Sequence, residues 1–479
     1  MIWHGPWVET RPDRFFEGTW DGSFSEGRFD DAVSFAGSGG VVKPRSVTFA
    51  CPTNMCERLY SVRTDGELFI SNSIVFLFEQ SHDAPEPSYP HYVRDIVSIH
   101  RDGLTRSDRS WIPTRQGRRL FLHGCVNLAV SPELTITCAA KAQPIAPASY
   151  GDYVALLERT LDRILRNAAD PARLKVYRPV VTVSRGYDSP AVAVLLARLG
   201  CSEAVTLLRT SGSQTEDDSG KAIGERLGFH VTEYERLGYL RLPGMPEAEF
   251  CASDYGSNVP LAVMEQQLVG TVLFTGRHGD VVWSTDRGRF LPMRRVPHAI
   301  STYGGSQLEF RLRVGFVHFP VPYILSLETL PLYRISTSDE MLRWSVGGDY
   351  DRPIPRRILE EAGIPRGWFA KDKLATIADN PFKRFDAKRA SHRELRAFAE
   401  SVQPAAQKPF LNVMHRVHRG DAFMTRWAER IARALGADLR LYAHIHERHR
   451  IEPTFAAFSF QWGIEKIRRR YAAASSEPQ

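Results

Sequence analysis

The stretch VVTVSRGYDSPAVAVLLARLG, residues 180–200, decides the fold. Val180 to Val183 read as a buried strand, and Gly200 closes a helix whose buried side is marked by Ala191, Val194, Leu195 and Leu199. Ser189 is a good N-cap for that helix and Pro190 a good first helical residue. Between strand and helix lies Ser184-Arg185-Gly186-Tyr187-Asp188-Ser189, which carries more hydrogen-bonding capacity than a simple turn requires. Working outward, strand and helix patterns alternate. YGDYVALLERTLDRILRNAA (150–169) has helical spacing, AVTLL (204–208) reads as a strand, DSGKAIGERLG (218–228) as a helix and HVTEY (230–234) as a third strand. PLAVMEQQLVG (260–270) and TVLFTG (271–276) add a further helix and strand. This alternation predicts an α/β domain with a doubly wound parallel sheet covered on both faces.

A second polar loop follows TVLF: Thr275-Gly276-Arg277-His278-Gly279-Asp280. In an open parallel sheet, ligands bind outside the carboxyl ends of the strands, where the winding direction reverses. If the two strands are neighbours at that point, both loops face one crevice. The first loop offers backbone N–H groups at a helix N-terminus together with hydroxyls, which suits phosphate. Asp188 and Asp280 add carboxylates able to hold magnesium between phosphate oxygens. A single loop of this composition is more often a plain connection, and it is the second loop that turns the reading toward a nucleotide triphosphate. No Gly-Lys-Ser/Thr follows either strand, so this is not a Walker loop.

Ahead of this region, SVTFACP (46–52), RLYSVRT (58–64), ELFISNSIVFLFE (67–79), RLFLHGCVNLAV (119–130) and LTITCAA (134–140) are extended pieces, while YVRDIVSIHRDG (92–103) is helical. AGSGG (36–40) reads as a glycine turn. KAQPIAPAS (141–149), with two prolines, is a linker, so the expected domains are a β-rich unit at 1–145 and a synthetase unit at 146–479. A length of 479 residues agrees with more than one domain. No window approaches the roughly 18 apolar residues of a membrane span. The first residues lack the basic start and apolar run of a signal peptide. The six cysteines are scattered, and Cys51 and Cys56 fit no common zinc spacing, so reduced thiols and a cytoplasmic location are expected.

The net charge of +7 permits an anionic partner without requiring one. The basic runs FKRFDAKRASHREL (382–395) and IEKIRRRYAAA (464–474) lack interleaved aromatics for stacking bases and read as solvated helix faces, so nucleic acid is not an expected partner. HIHERH (444–449) is one residue short of the zinc-protease spacing and reads as a polar helix face.

SRGYDS resembles the Ser-Gly-Gly-x-Asp-Ser loop of the ATP pyrophosphatases, with Arg185 in place of the first glycine. TGRHGD resembles the Ser-Gly-Glu-Gly-x-Asp-Glu loop of the asparagine synthetase-like family. In GIPRGWFAKDKLATI (363–377), Pro365 precedes Lys373 by the family's eight positions, which puts Lys371 on its arginine and Lys373 on its lysine. The resemblance spans residues 1 to about 385. It implies a degenerate Ntn-type sandwich ahead of an ATP pyrophosphatase domain with a helical C-terminal part. It implies an ATP- and Mg2+-dependent ligase that activates a small-molecule or peptide carboxylate as an acyl-adenylate, releasing AMP and pyrophosphate. Ser184, Gly186, Tyr187, Asp188, Ser189, Thr275, Gly276 and Gly279 would then line the polyphosphate, with Asp188 and Asp280 on magnesium. The backbone near Leu207 and Leu208 would face adenine, and Lys373, with Lys371 and Arg185, would neutralise developing charge.

Departures from the pattern narrow the function. The family's glutaminase uses a cysteine directly after the initiator methionine, and Ile2 stands there, so glutamine-derived ammonia is not expected. This directs the resemblance toward the β-lactam synthetase and lasso-peptide cyclase branch, whose substrates bring their own amine, with room for a partner protein or peptide. Arg277 and Val281 replace the two glutamates of the second loop, leaving Glu309, Glu360 and Glu361 as candidate bases. Arg356 and Arg357 read as a solvated face. Two alternatives stay open: adenylation of a base or tRNA, and a nucleotide-binding subunit that has lost catalysis. Residues 238–260 and 286–350, expected to set specificity, carry no legible code.

Overall fold

The structure is a computed structural model that describes residues 1–89, 91–102, 110–208, 218–254, 256–285, 307–325, 329–348, 350–370, 381–382, 385–402 and 456–472. Among the described residues before 141 there are ten strands: β1 (Glu9–Arg11), β2 (Arg14–Trp20), β3 (Phe35–Lys43), β4 (Ser46–Ala50), β5 (Leu59–Arg63), β6 (Leu68–Ser71), β7 (Trp111–Pro113), β8 (Arg119–His123), β9 (Val126–Val130) and β10 (Ile136–Ala140). They make two antiparallel sheets, ordered β1-β2-β3-β4-β9-β10 and β6-β5-β8-β7. Then come β11 (Arg178–Thr182), β12 (Glu203–Leu208), β13 (His230–Glu235), β14 (Thr271–Thr275) and β15 (Val317–Pro320), all parallel, in the order β13-β12-β11-β14-β15. The protein is therefore mixed α/β, with antiparallel sheets first and a helix-covered parallel sheet after them.

The parallel sheet explains its own sequence. Every residue of β14 and β15 is buried, because helices pack on β14 and the strands β2 and β3 pack on β15, so no alternation is needed. The helix Asp188–Arg198 buries Pro190 through Leu196 without a break, since it lies between the sheet and the helix Pro353–Glu361. The helix Tyr150–Ala168 shows the opposite case: Tyr153, Leu157, Leu161 and Ile164 form one buried stripe, and Ser149 and Asp152 close a capping box at its start.

Three local expectations are corrected or extended. AGSGG is not a turn but the middle of β3, where backbone runs unusually close to backbone. A Cβ on Gly37 would lie 2.1 Å from the Glu17 carbonyl oxygen, and one on its partner Gly18 would lie 2.1 Å from that of Ala36. ELFISNSIVFLFE is not wholly extended: β6 ends at Ser71, and Ser73 Oγ accepts from the Phe76 N–H to start the helix Ile74–Gln80. The IEKIRRR run belongs to the helix Ser459–Ala472, which seats Phe460, Trp462, Ile464 and Ile467 against the helices Ile74–Gln80 and Glu247–Ser253. Its solvated face is Glu465, Lys466, Arg469 and Arg470, but Arg468 pairs with Glu79 and Arg470 with Glu249, so two of its arginines also tie the helix to its neighbours.

Buried charge joins the antiparallel and parallel parts. Arg311 is 1% exposed and donates from Nη1 and Nη2 to Glu17 of β2 at 2.7 and 2.8 Å. Its Nε lies 2.9 Å from Glu57 Oε1. Arg173 repeats the pattern, reaching Glu9 at 3.1 Å and the Gly18 carbonyl at 2.9 Å. Among the described residues no helix is long and apolar enough to cross a membrane.

Candidate functional site

β11 and β14 are direct neighbours, with Val181 opposite Phe274. The next strands in sequence lie on opposite sides of this pair, β12 beyond β11 and β15 beyond β14, so the winding direction reverses here. The loops that leave the two strands touch. A Cβ on Gly276 would sit 2.3 Å from the Asp188 carbonyl carbon and 2.4 Å from Ser189 N, and one on Gly279 would sit 2.7 Å from Asp188 Cγ. Only glycine allows the second loop to lie this close to the first.

Within the first loop, Ser184 Oγ and Ser189 Oγ are 2.8 Å apart, and the Gly186 N–H donates to Ser184 Oγ at 3.2 Å. The Arg185 N–H donates to the Asp218 carbonyl at 3.3 Å and its carbonyl accepts from the Ala370 N–H at 2.7 Å, fixing the loop from both sides. Ser189 is not the N-cap. The helix begins two residues earlier than expected, at Asp188, with Tyr187 at the cap position, and the Ser189 hydroxyl faces Ser184 instead of its own first turn. That start puts the Asp188 carboxylate in the first turn, where the helix dipole favours an anion.

The segment 350–356 clamps this loop. Arg352 Nη1 donates to Asp188 Oδ2 at 2.5 Å. Its guanidinium is 4.8 Å from the centre of the Tyr350 ring, and a Cβ on Gly186 would lie 3.6 Å from the Tyr350 hydroxyl. Arg356 donates to the Tyr187 hydroxyl, and Tyr187 packs on Tyr350 at 4.9 Å between ring centres. Burial alone would lower the pKa of Arg352, but the charges of Asp188 and then Asp280 outweigh it and hold the guanidinium above its ordinary value. Both carboxylates therefore act on one buried arginine.

The second loop is anchored from behind. His278 has a left-handed backbone (φ 72°), is buried, and stacks on Tyr323 at 4.8 Å. Burial pushes its pKa down to about 4, so the ring is neutral near pH 7. The Thr275 hydroxyl is 2.9 Å from His318 Nε2, which commits it to the sheet interior.

The other candidate positions divide as follows. Ser184, Gly186, Asp188, Ser189, Gly276 and Gly279 come together, and Asp280 opens the turn Gly279–Val282 beside them. Tyr187 turns its side chain into the core, 1% exposed, and Leu207 stands at the carboxyl end of β12, paired with Tyr234. Lys371 and Lys373 lie outside the described residues. Arg356 is 6% exposed, not on a solvated face, because it packs under Tyr187. The three candidate bases all have other partners. Glu309 is buried and accepts from Ser73 Oγ at 2.9 Å and from the Tyr471 hydroxyl at 2.8 Å, while Glu360 pairs with Arg366 and Glu361 with Arg357. Arg352 is the residue that sequence reasoning missed. Its signal is slight: an acid-arginine pair, Asp351-Arg352, directly before a Pro-started helix.

Beside Arg185 opens a cleft of about 460 Å³, bounded by Ser219, Lys221, Ile223, Glu225, Glu233 and Trp368. That volume is in the range that holds a small molecule or a short peptide. Among the described residues no group of three or more His, Cys, Asp or Glu side chains forms a metal cage. A pair of carboxylates nonetheless fits magnesium, which is commonly held by one or two carboxylates together with substrate phosphates. No protein-family model matches the chain, and no curated protein does.

Proposed function

We propose that this protein is an ATP- and magnesium-dependent ligase or cyclase that activates a carboxylate by adenylation and joins it to an amine. On this reading residues 146–479 form an ATP pyrophosphatase-type synthetase domain, and residues 1–145 are a glutaminase-like sandwich without its nucleophile. The observation that carries the proposal is the contact between the two loops at the strand reversal, with Gly276 and Gly279 pressed against Asp188. Backbone N–H groups of residues 187–189 and the Ser184 and Ser189 hydroxyls would bind the polyphosphate, and Asp188 with Asp280 would hold the magnesium that carries it. Magnesium supplies charge neutralisation at the phosphate oxygens. Arg185, on a backbone fixed at both ends, adds positive charge where the cleft meets the loop, and on this reading the cleft would take the carboxylate substrate.

A second reading, nucleotide binding without turnover, draws on Arg352, which engages the carboxylate that the first reading gives to magnesium. One assay separates the two. The protein is incubated with ATP, magnesium and pooled metabolite or peptide fractions, and the products are separated. AMP with pyrophosphate is expected, and Asp188→Asn should abolish it. Release of ADP and phosphate refutes adenylation, and ATP binding with no turnover across all fractions favours the second reading.

A further inference from the structure

Asp188 and Asp280 come from loops almost a hundred positions apart, and Arg352, from a third segment, pairs with Asp188 and feels the charge of Asp280. Three features make this arginine a built part of the site. It is 4% exposed, so the pair with Asp188 is shielded from solvent. Its guanidinium rests on the Tyr350 ring at 4.8 Å and lies 6.0 Å from the Tyr187 ring, a soft support that does not require one fixed hydrogen-bonded position. Its backbone is pinned: the Asp351 carboxylate accepts from the Val346 N–H at 3.0 Å and from the Ser345 hydroxyl, and the Asp351 carbonyl accepts from the Thr285 hydroxyl at 3.3 Å. Thr285 follows shortly after the second loop, so the arginine is tied to the loop it serves. The main chain is held, so an exchange of partners falls to the side chain alone.

A guanidinium hydrogen-bonded to a carboxylate oxygen at 2.5 Å competes with a divalent cation for that oxygen, and its positive charge repels the cation. A guanidinium is also a fitting partner for a phosphate, in the same bidentate geometry it offers a carboxylate. We propose that Arg352 is the resident counter-ion of the crevice: it keeps free divalent cations off Asp188, and gives up the carboxylate only to a cation that arrives on a polyphosphate, moving its own guanidinium to a phosphate oxygen. This builds on the polyphosphate reading above and adds order to it, because metal and nucleotide enter together. Arg352 is here a positioning residue, and its exchange of partners keeps each charge in the site matched before and after binding.

The test is Mn2+ binding to the full-length protein without nucleotide, followed by paramagnetic resonance of the free ion and by calorimetry, for wild type, Arg352→Gln, Arg352→Lys and the double variant Arg352→Gln with Asp188→Asn. Arg352→Gln should bind free Mn2+ about tenfold more tightly than wild type, because the positive charge paired with Asp188 is removed from the crevice. The double variant should lose that gain. Arg352→Lys, which keeps the charge and guards against a folding defect in the glutamine variant, should stay near wild type for free Mn2+ and bind Mn·ATP about tenfold less tightly for want of the fork. A purely structural arginine would not alter cation affinity in this pattern. If Arg352→Gln and wild type bind free Mn2+ equally while wild type binds Mn·ATP, the counter-ion role is refuted and the nucleotide reading stands. If wild type binds no Mn·ATP at all, both fall.

Discussion

Replacing Arg311 with methionine tests the junction between the two parts of the fold. Arg311 is the shared cation of Glu17 and Glu57, and all three side chains are almost wholly buried. Removing it leaves two carboxylates facing each other without solvent, a class of change that costs about 3 to 5 kcal/mol. The pH dependence is the sharper signature. Burial pushes the Glu57 pKa up to about 7 even though Arg311 opposes the rise. A carboxyl whose folded pKa exceeds its unfolded value binds more protons when folded, so its contribution to stability falls as pH rises from about 4.5 to about 7 and is then level. Across that window the wild type should lose on the order of 3 kcal/mol from this group. In Arg311→Met both glutamates lack their partner and the loss should steepen, so the deficit against wild type should be small near pH 5 and largest near pH 8. Urea denaturation monitored by tryptophan fluorescence at the two pH values, with limited proteolysis between residues 141 and 149 as a second probe, measures it. A deficit equal at both values refutes the electrostatic account and leaves only lost packing. Adding Glu17→Gln and Glu57→Gln to Arg311→Met should restore much of the stability, since no charge is then left buried.

Other outcomes follow from the same geometry. Gly276→Ala would drive a methyl group into the Asp188–Ser189 backbone, so it should lower nucleotide affinity at least tenfold in calorimetry and destabilise the protein by about 1 to 3 kcal/mol. Glu309→Gln keeps the shape of a carboxylate held by Ser73 and Tyr471, and AMP release should persist; loss of turnover in a folded variant would return Glu309 to the list of bases. Trp462→Ala should cost about 3 to 5 kcal/mol by circular dichroism melts, since the indole is 2% exposed in a core built from several helices and strands.

The parallel sheet was legible in the sequence because strands covered on both faces read as apolar runs, and because polar loops beginning at Ser184 and Gly276 follow directly on two of them. Val180–Val183 and Thr271–Phe274 are runs of this kind, and their adjacency follows from a rule about where winding reverses. β3 was hidden by its own glycines, whose role is to let Glu17–Gly18 and Ala36–Gly37 approach across the ladder, a demand set by a partner strand and not by neighbours in sequence. The helix Ser459–Ala472 was read only in part for a related reason. Its arginines suggested solvent, but Phe460, Ile464 and Ile467 recur at helical spacing and find partners only in the folded chain. Arg352 was missed because an ion pair between positions 188 and 352 leaves no local trace. Arg185 and Arg277 were conspicuous only against the loops they interrupt.

The helix Ser459–Ala472 also bears on how the molecule is made. It packs on Ile74–Gln80, so one apolar surface waits for a cover encoded nearly four hundred codons later. At roughly 5 to 20 residues per second, translation leaves that face bare for on the order of 20 to 80 s. Chaperone capture on the ribosome, and severe aggregation of prematurely terminated products, should therefore accompany biosynthesis of this protein.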